Sequence, residues 1–159
     1  MRVDSLADRL RTSDVFASLS EERLAWLADL GTVARLPART VVARQGDPAD
    51  AFSVILEGRV RWTRRVGGRE VHAVTLGPGE VFAELIIILD ESYPTTGTTI
   101  EDTTLVRFAP DAFWDMLATC HGVLAKVTRI AVERAEIHET VAQQQARLTG
   151  LGQVAAGLA

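Results

Sequence analysis

The sequence predicts a mainly β chain: a jelly-roll β-sandwich with flanking helices and one long C-terminal helix. Three observations predict it. Short β-rich runs punctuated by Gly and Pro fill residues 32–109. On both sides of that stretch the apolar residues return at helical spacing. The last segment keeps a seven-residue apolar repeat. The expected divisions are N-terminal helices over 1–31, a sandwich over 32–109, a short helix over 110–121 and a long helix over 122–159.

The elements follow in order. Leu6 and Leu10 lie four apart, at helical spacing. Ser20 suits an N-cap, Glu21 and Glu22 suit the first turn, and Leu24, Leu27 and Leu30 form a stripe that Gly31 stops. Val33–Leu36 then halts at Pro37, and Thr40–Ala43 before Gly46-Asp47-Pro48. Phe52 to Leu56 is apolar enough for a buried strand. Val60 and Trp62 alternate with arginines, and Gly67-Gly68 is a two-residue hairpin signal. Val71 to Leu76 carries apolar residues in both phases, which predicts a strand covered on both faces. Gly77-Pro78-Gly79 turns, and Leu85 to Leu89 is a short apolar piece. Thr103 to Phe108 is a later strand ending before Pro110. Asp111 is placed to cap a helix carrying Phe113, Trp114 and Leu117, broken at His121-Gly122.

Composition narrows the function. The 159 residues are 47% hydrophobic and 24% charged, with net charge −4, so the chain carries no electrostatic footprint for nucleic acid. Cys120 is the single cysteine, which excludes an intramolecular disulfide and suits a reducing compartment. No apolar run approaches the roughly 20 residues that span a bilayer. The first residues lack a secretory pattern. A cytoplasmic location is the expectation. His72, His121 and His138 are too few and too scattered for a metal site. No nucleophile elbow, P-loop or dinucleotide fingerprint is present. No catalytic residue, resident cofactor or metal is expected.

Several segments carry a family resemblance. Val41–Asp50 resembles the first tight hairpin of the cyclic-nucleotide-binding domain family, as found in catabolite-activator-like sensors. Phe52–Val60 resembles its next strand and glycine turn, and Gly77–Leu85 the entry to its phosphate-binding cassette. Thr104–Val106 followed by Phe113 resembles its last strand and following helix, so the resemblance covers roughly residues 5 to 140. It implies that a short helix opens after the turn with its free N–H groups facing an anion. It implies that Glu84 accepts from a ribose hydroxyl. The family's Gly before that Glu is Ala83 here, a change that requires a negative φ at that residue. The family's phosphate-binding Arg is missing: its place falls on Tyr93 or on Thr95, depending on the alignment, and no Lys or Arg occurs from Glu70 to Val106. The implied cassette positions are Phe82, Ala83, Glu84, Leu85, Tyr93, Thr95 and Thr96.

Losing one member of a buried charge pair costs roughly 2–5 kcal/mol, about 30- to several-thousand-fold in affinity. The module is therefore expected to be degenerate for cAMP and cGMP. A compensating cation would have to reach in from Arg61, Arg64, Arg69 or Arg107.

With Val127 as position a, the heptad core reads Val127, Ile130, Arg134, Ile137, Val141, Gln144, Leu148, Leu151, Ala155, Leu158. The apolar majority predicts a two-stranded coiled coil and a homodimer. The competing reading of its first turns is a helix packed on the sandwich. Arg147 to Ala159 resembles the run leading into the phosphoacceptor histidine of sensor histidine kinases. That resemblance implies a sensor segment followed by a kinase domain in the same chain. The alternative is the sensing half of a catabolite-activator-type transcription regulator without its DNA-binding domain.

Overall fold

A computed structural model describes residues 4–136 and residue 139. Two short helices come first, α1 (Leu6–Arg11) and α2 (Glu21–Leu30). Eight strands follow: β1 (Thr32–Leu36), β2 (Val41–Ala43), β3 (Phe52–Glu57), β4 (Val60–Val66), β5 (Arg69–Leu76), β6 (Val81–Phe82), β7 (Thr96–Thr99) and β8 (Thr103–Phe108). Helix α3 (Glu84–Leu89) interrupts them between β6 and β7, and α4 (Pro110–Thr119) follows β8. Residues 121–136 form α5.

The strands make two four-stranded antiparallel sheets, ordered β1-β8-β3-β6 and β2-β7-β4-β5. This is the expected jelly-roll sandwich. The central strands β3 and β8 are buried on both faces, which explains their nearly continuous apolar runs. Phe52, Val54, Val106 and Phe108 point to the helices, where Phe16, Leu24, Leu27, Phe113 and Met116 complete one core. Ile55 and Leu105 point the other way, into the sandwich with Val60, Trp62, Leu76, Phe82 and Tyr93.

The β4–β5 hairpin turns at Gly67 (φ 56°) and Gly68 (φ 79°), both left-handed, as the glycine pair predicts. Gly97 has a different reason to be glycine. A Cβ there would lie 2.8–2.9 Å from three atoms of the Trp62 ring, so only glycine lets β7 pass the indole.

Four expectations need correction. β5 is an edge strand, and of its residues only Leu76 is buried, so its two faces are not covered. Asp111 does not cap α4: Ala109 holds that position, Pro110 opens the helix, and Asp111 sits in the first turn, where its charge still favours the helix dipole. The break after α4 falls at Cys120, with His121 already helical. Val127, assigned to a dimer seam, is wholly buried within its own chain, and Ile130 packs against the same helical core. Helical period explains this: Val123, Val127 and Ala131 share one face, and that face closes on the sandwich. Ile137, Val141, Leu148 and Leu151 lie outside the described residues, as does the segment resembling a kinase lead-in.

Candidate functional site: a cassette closed by its own helix

The site grows from the short strand β6 at the edge of its sheet, where Val81 and Phe82 pair with Val54 and Ser53. The chain then reverses at Ala83 and enters α3. Ala83 has φ 78° and ψ −2°, in the left-handed region. The negative φ that the sequence reading required is not what the chain adopts. The backbone keeps the conformation a glycine would favour, at a cost of roughly 1–2 kcal/mol for an L-residue. After α3 the chain returns past Asp90, and the loop is pinned to the β2–β3 turn. Tyr93 N–H donates to the Asp47 carbonyl at 2.8 Å, and Gly46 N–H donates to the Tyr93 carbonyl at 2.8 Å.

These elements enclose a cavity of about 570 Å³, its open mouth included. Phe82, Ala83, Glu84, Leu85, Tyr93 and Thr95 all line it, so most of the sequence-derived cassette positions converge. Thr96 does not line it; its hydroxyl accepts from Gln45 N–H at 2.9 Å on the other side of β7. Tyr93 and Thr95, the two candidates for the phosphate-binding place, are both buried lining residues. Trp62, Ala73, Val74, Leu76, Ile86 and Pro94 complete the apolar wall. Trp62 stacks on Tyr93 with ring centroids 5.9 Å apart and meets Phe82 edge-on at 5.1 Å. The Trp62 indole N–H is buried without a hydrogen-bond partner.

One residue of the site was misassigned from sequence. Arg134, on α5, reaches the cavity and closes on Glu84. Its Nη1 donates to both carboxylate oxygens, at 2.7 and 2.8 Å, and its Nη2 donates to the Val81 carbonyl. Glu84 is fully buried. Burial pushes its carboxyl above the ordinary carboxylate range, and Arg134 pulls it back. The sequence signal was an arginine in a mostly apolar repeat, seven residues after Val127 and so on the same inward face. Its place in the heptad core points to a dimer seam, since spacing alone cannot say which surface a helix face meets.

Among the described residues no other arginine substitutes for the missing one. Arg61, Arg64 and Arg69 do not line the cavity. Arg107 is paired with Asp50 at 2.8 Å. Burial also pushes the Tyr93 hydroxyl well above its ordinary value, with the Asp50 charge adding to the shift. Among the described residues no cluster of His, Cys, Asp and Glu could hold a metal ion, and no helix is long and apolar enough to cross a membrane.

A two-sheet jelly roll with helices on one face and a turn-plus-helix cassette on the other is the architecture that the resemblance of the sequence implies. The family model of the cyclic nucleotide-binding domain matches residues 33–120, and the chain belongs to that family. It is 33% identical over 99 residues to a lysophospholipase, nte1, of Aspergillus fumigatus, a match covering 61% of this chain but 6% of that protein. Its fold is similar to the catabolite activator protein of Thermus thermophilus, at TM-score 0.72 and 21% identity, over 84% of this chain and 63% of that one. It is also similar, at TM-score 0.68 and 18% identity, to the regulatory subunit of a cAMP-independent protein kinase A from Trypanosoma brucei. That match covers 77% of this chain and 44% of that one. The Trypanosoma structure is a triple variant bound to cAMP, and one of its three substitutions replaces threonine by arginine.

Proposed function

We propose that the chain is a sensor module degenerate for cAMP and cGMP, which dimerises through its C-terminal helix and signals to a downstream histidine kinase. One observation carries the degenerate reading. The buried cassette carboxylate is met by a cation from α5, while no Lys or Arg of the sandwich lines the cavity. A cyclic phosphate would enter a site whose cation, Arg134, is already committed to Glu84. The Trypanosoma protein supports the same logic, since a cAMP-independent subunit was found with cAMP in a variant that gains an arginine.

Calorimetry tests this. Wild-type protein should show no low-micromolar dissociation constant for cAMP or cGMP; such a constant would sink the reading. Thr95→Arg should gain at least about 30-fold in cAMP affinity, the lower end of what one buried charge partner is worth.

For the dimer, support comes from an exposed apolar stripe on the flank of α5. Leu124 and Val132 stand two turns apart there, at 40% and 55% exposure, with Thr128 between them. This stripe is the seam available to a partner helix. Sedimentation should show a dimer that Val132→Asp converts to a folded monomer; a wild-type monomer would refute it. The alternative reading is the sensing half of a catabolite-activator-type regulator. The fold shared with the Thermus activator favours it.

A further inference from the structure

We propose that the cassette takes a small organic cation, a planar amidinium or guanidinium on an apolar body, which displaces Arg134 from Glu84 and so releases the end of α5 that carries Arg134. This rests on the sensor reading above and names the ligand class of the same site.

The argument begins with the charge balance. Among the described residues two charged side chains line the cavity, Glu84 and Arg134. Glu84 is fully buried, whereas the Arg134 side chain is 19% exposed and reaches in from a helix outside the sandwich. An isolated carboxylate at such depth is strongly unfavourable, so the ionised Glu84 requires a cation. The partner it has is a guanidinium. The structure therefore already displays one group that satisfies the site, supplied from within the chain.

An anionic ligand would add negative charge beside a buried carboxylate, in a segment without Lys or Arg from Glu70 to Val106 and with Asp90 and Glu91 exposed on the adjoining loop. A neutral ligand offers Glu84 no counter-charge and cannot expel Arg134. A cation that replaces Arg134 keeps the buried charge balanced, and the displaced guanidinium moves to water. The walls suit the rest of such a molecule. Trp62, Phe82 and Tyr93 give an aromatic lining, which accepts both flat apolar bodies and cations. Displacement breaks the hydrogen bonds from Arg134 to Glu84 and to Val81 together, and these tie α5 to the β6–α3 turn. Ligand entry and release of that helix end become one event, while Val123 and Val127 stay packed in the core.

The test uses the full chain and three probes of nearly equal shape: benzamidine (cationic), benzamide (neutral) and benzoate (anionic). Calorimetry should show saturable benzamidine binding at neutral pH, at least tenfold tighter than either of the others. Arg134→Gln removes the competitor and should tighten benzamidine at least tenfold. Glu84→Gln should abolish binding. Amide exchange across residues 131–136 should speed up when benzamidine binds the wild type. Circular dichroism checks that each variant folds, and Arg134→Lys serves the same arm if Arg134→Gln does not fold. Equal binding of benzamide, no tightening on loss of Arg134, or no benzamidine binding even then would each overturn the proposal. A cAMP titration on the same samples separates the two ideas. Micromolar cAMP binding defeats the degenerate-sensor reading, whereas failure of benzamidine alone defeats only the ligand class.

Discussion

The two faces of the β1-β8-β3-β6 sheet are built on opposite terms. Its helix-covered face is dry and aromatic: Phe52 and Phe113 lie 4.6 Å apart, Phe52 and Phe108 6.2 Å, Phe16 and Phe108 6.4 Å, all four fully buried. Its cassette side holds a left-handed alanine, an indole N–H with no partner, a buried ion pair and a cavity. Each of those features costs free energy. The contrast teaches where stability is stored and where responsiveness is placed, since a site that must change state is drawn from the less stable end of a structure.

Substitutions can break or sharpen that contrast. The largest effect should come from the dry side. Phe52→Ala removes a ring at the centre of the aromatic cluster, and about 3–5 kcal/mol should be lost. Urea unfolding would read it, and a loss under about 1.5 kcal/mol would mean that this face is not the anchor.

A smaller but pH-dependent effect should come from the cassette. Arg134→Met leaves Glu84 buried without its cation. About 2–3 kcal/mol should be lost near neutral pH, less than the roughly 3–5 of a fully buried pair because Arg134 keeps partial contact with water. The sign of the pH dependence follows from the raised Glu84 carboxyl. A group whose folded pKa lies above its unfolded value contributes its stability below the unfolded value and loses it as pH rises through the folded one. Removing Arg134 raises the folded value further, so Arg134→Met should recover much of its stability near pH 4 and fall behind wild type as pH climbs. Urea midpoints at several pH values check this; a deficit independent of pH would show that the lost contact is packing, not charge.

The smallest effect should be a gain. Ala83→Gly relieves left-handed strain of roughly 1–2 kcal/mol, offset by roughly 0.5–1 kcal/mol of extra chain entropy in the unfolded state. A net rise in Tm of about 1–4 °C is expected by calorimetry. A fall would show that Ala83 is not strained.

Much of this architecture was legible in the residues. The hairpin at Gly67-Gly68, the buried run Phe52–Leu56, the Ser20 cap and the stop at Gly31 are local signals, and local signals survive without tertiary information. β5 misled because apolar residues in both phases resemble a two-faced strand, while its edge position leaves most of it in water. The cassette residues Phe82 to Leu85 were legible through their order around the turn. The conformation of Ala83 was not, because side-chain identity argues for negative φ and only the surrounding sheet and helix hold the residue at positive φ.

By itself, then, the sequence determined the sandwich with its helices, the position of Glu84 and the lack of any nearby cation in its own stretch of chain. Those properties depend on spacing and composition, which are readable in one dimension. Only the tertiary structure decided what meets Glu84. Arg134 lies fifty residues away, and its periodicity places it on the inward face of a helix without saying what that face touches. The docking of α5 on the sandwich makes a residue of the heptad core the counter-ion of the cassette. The physical reason is that a buried carboxylate takes the nearest available cation in space, and the fold sets which cation that is.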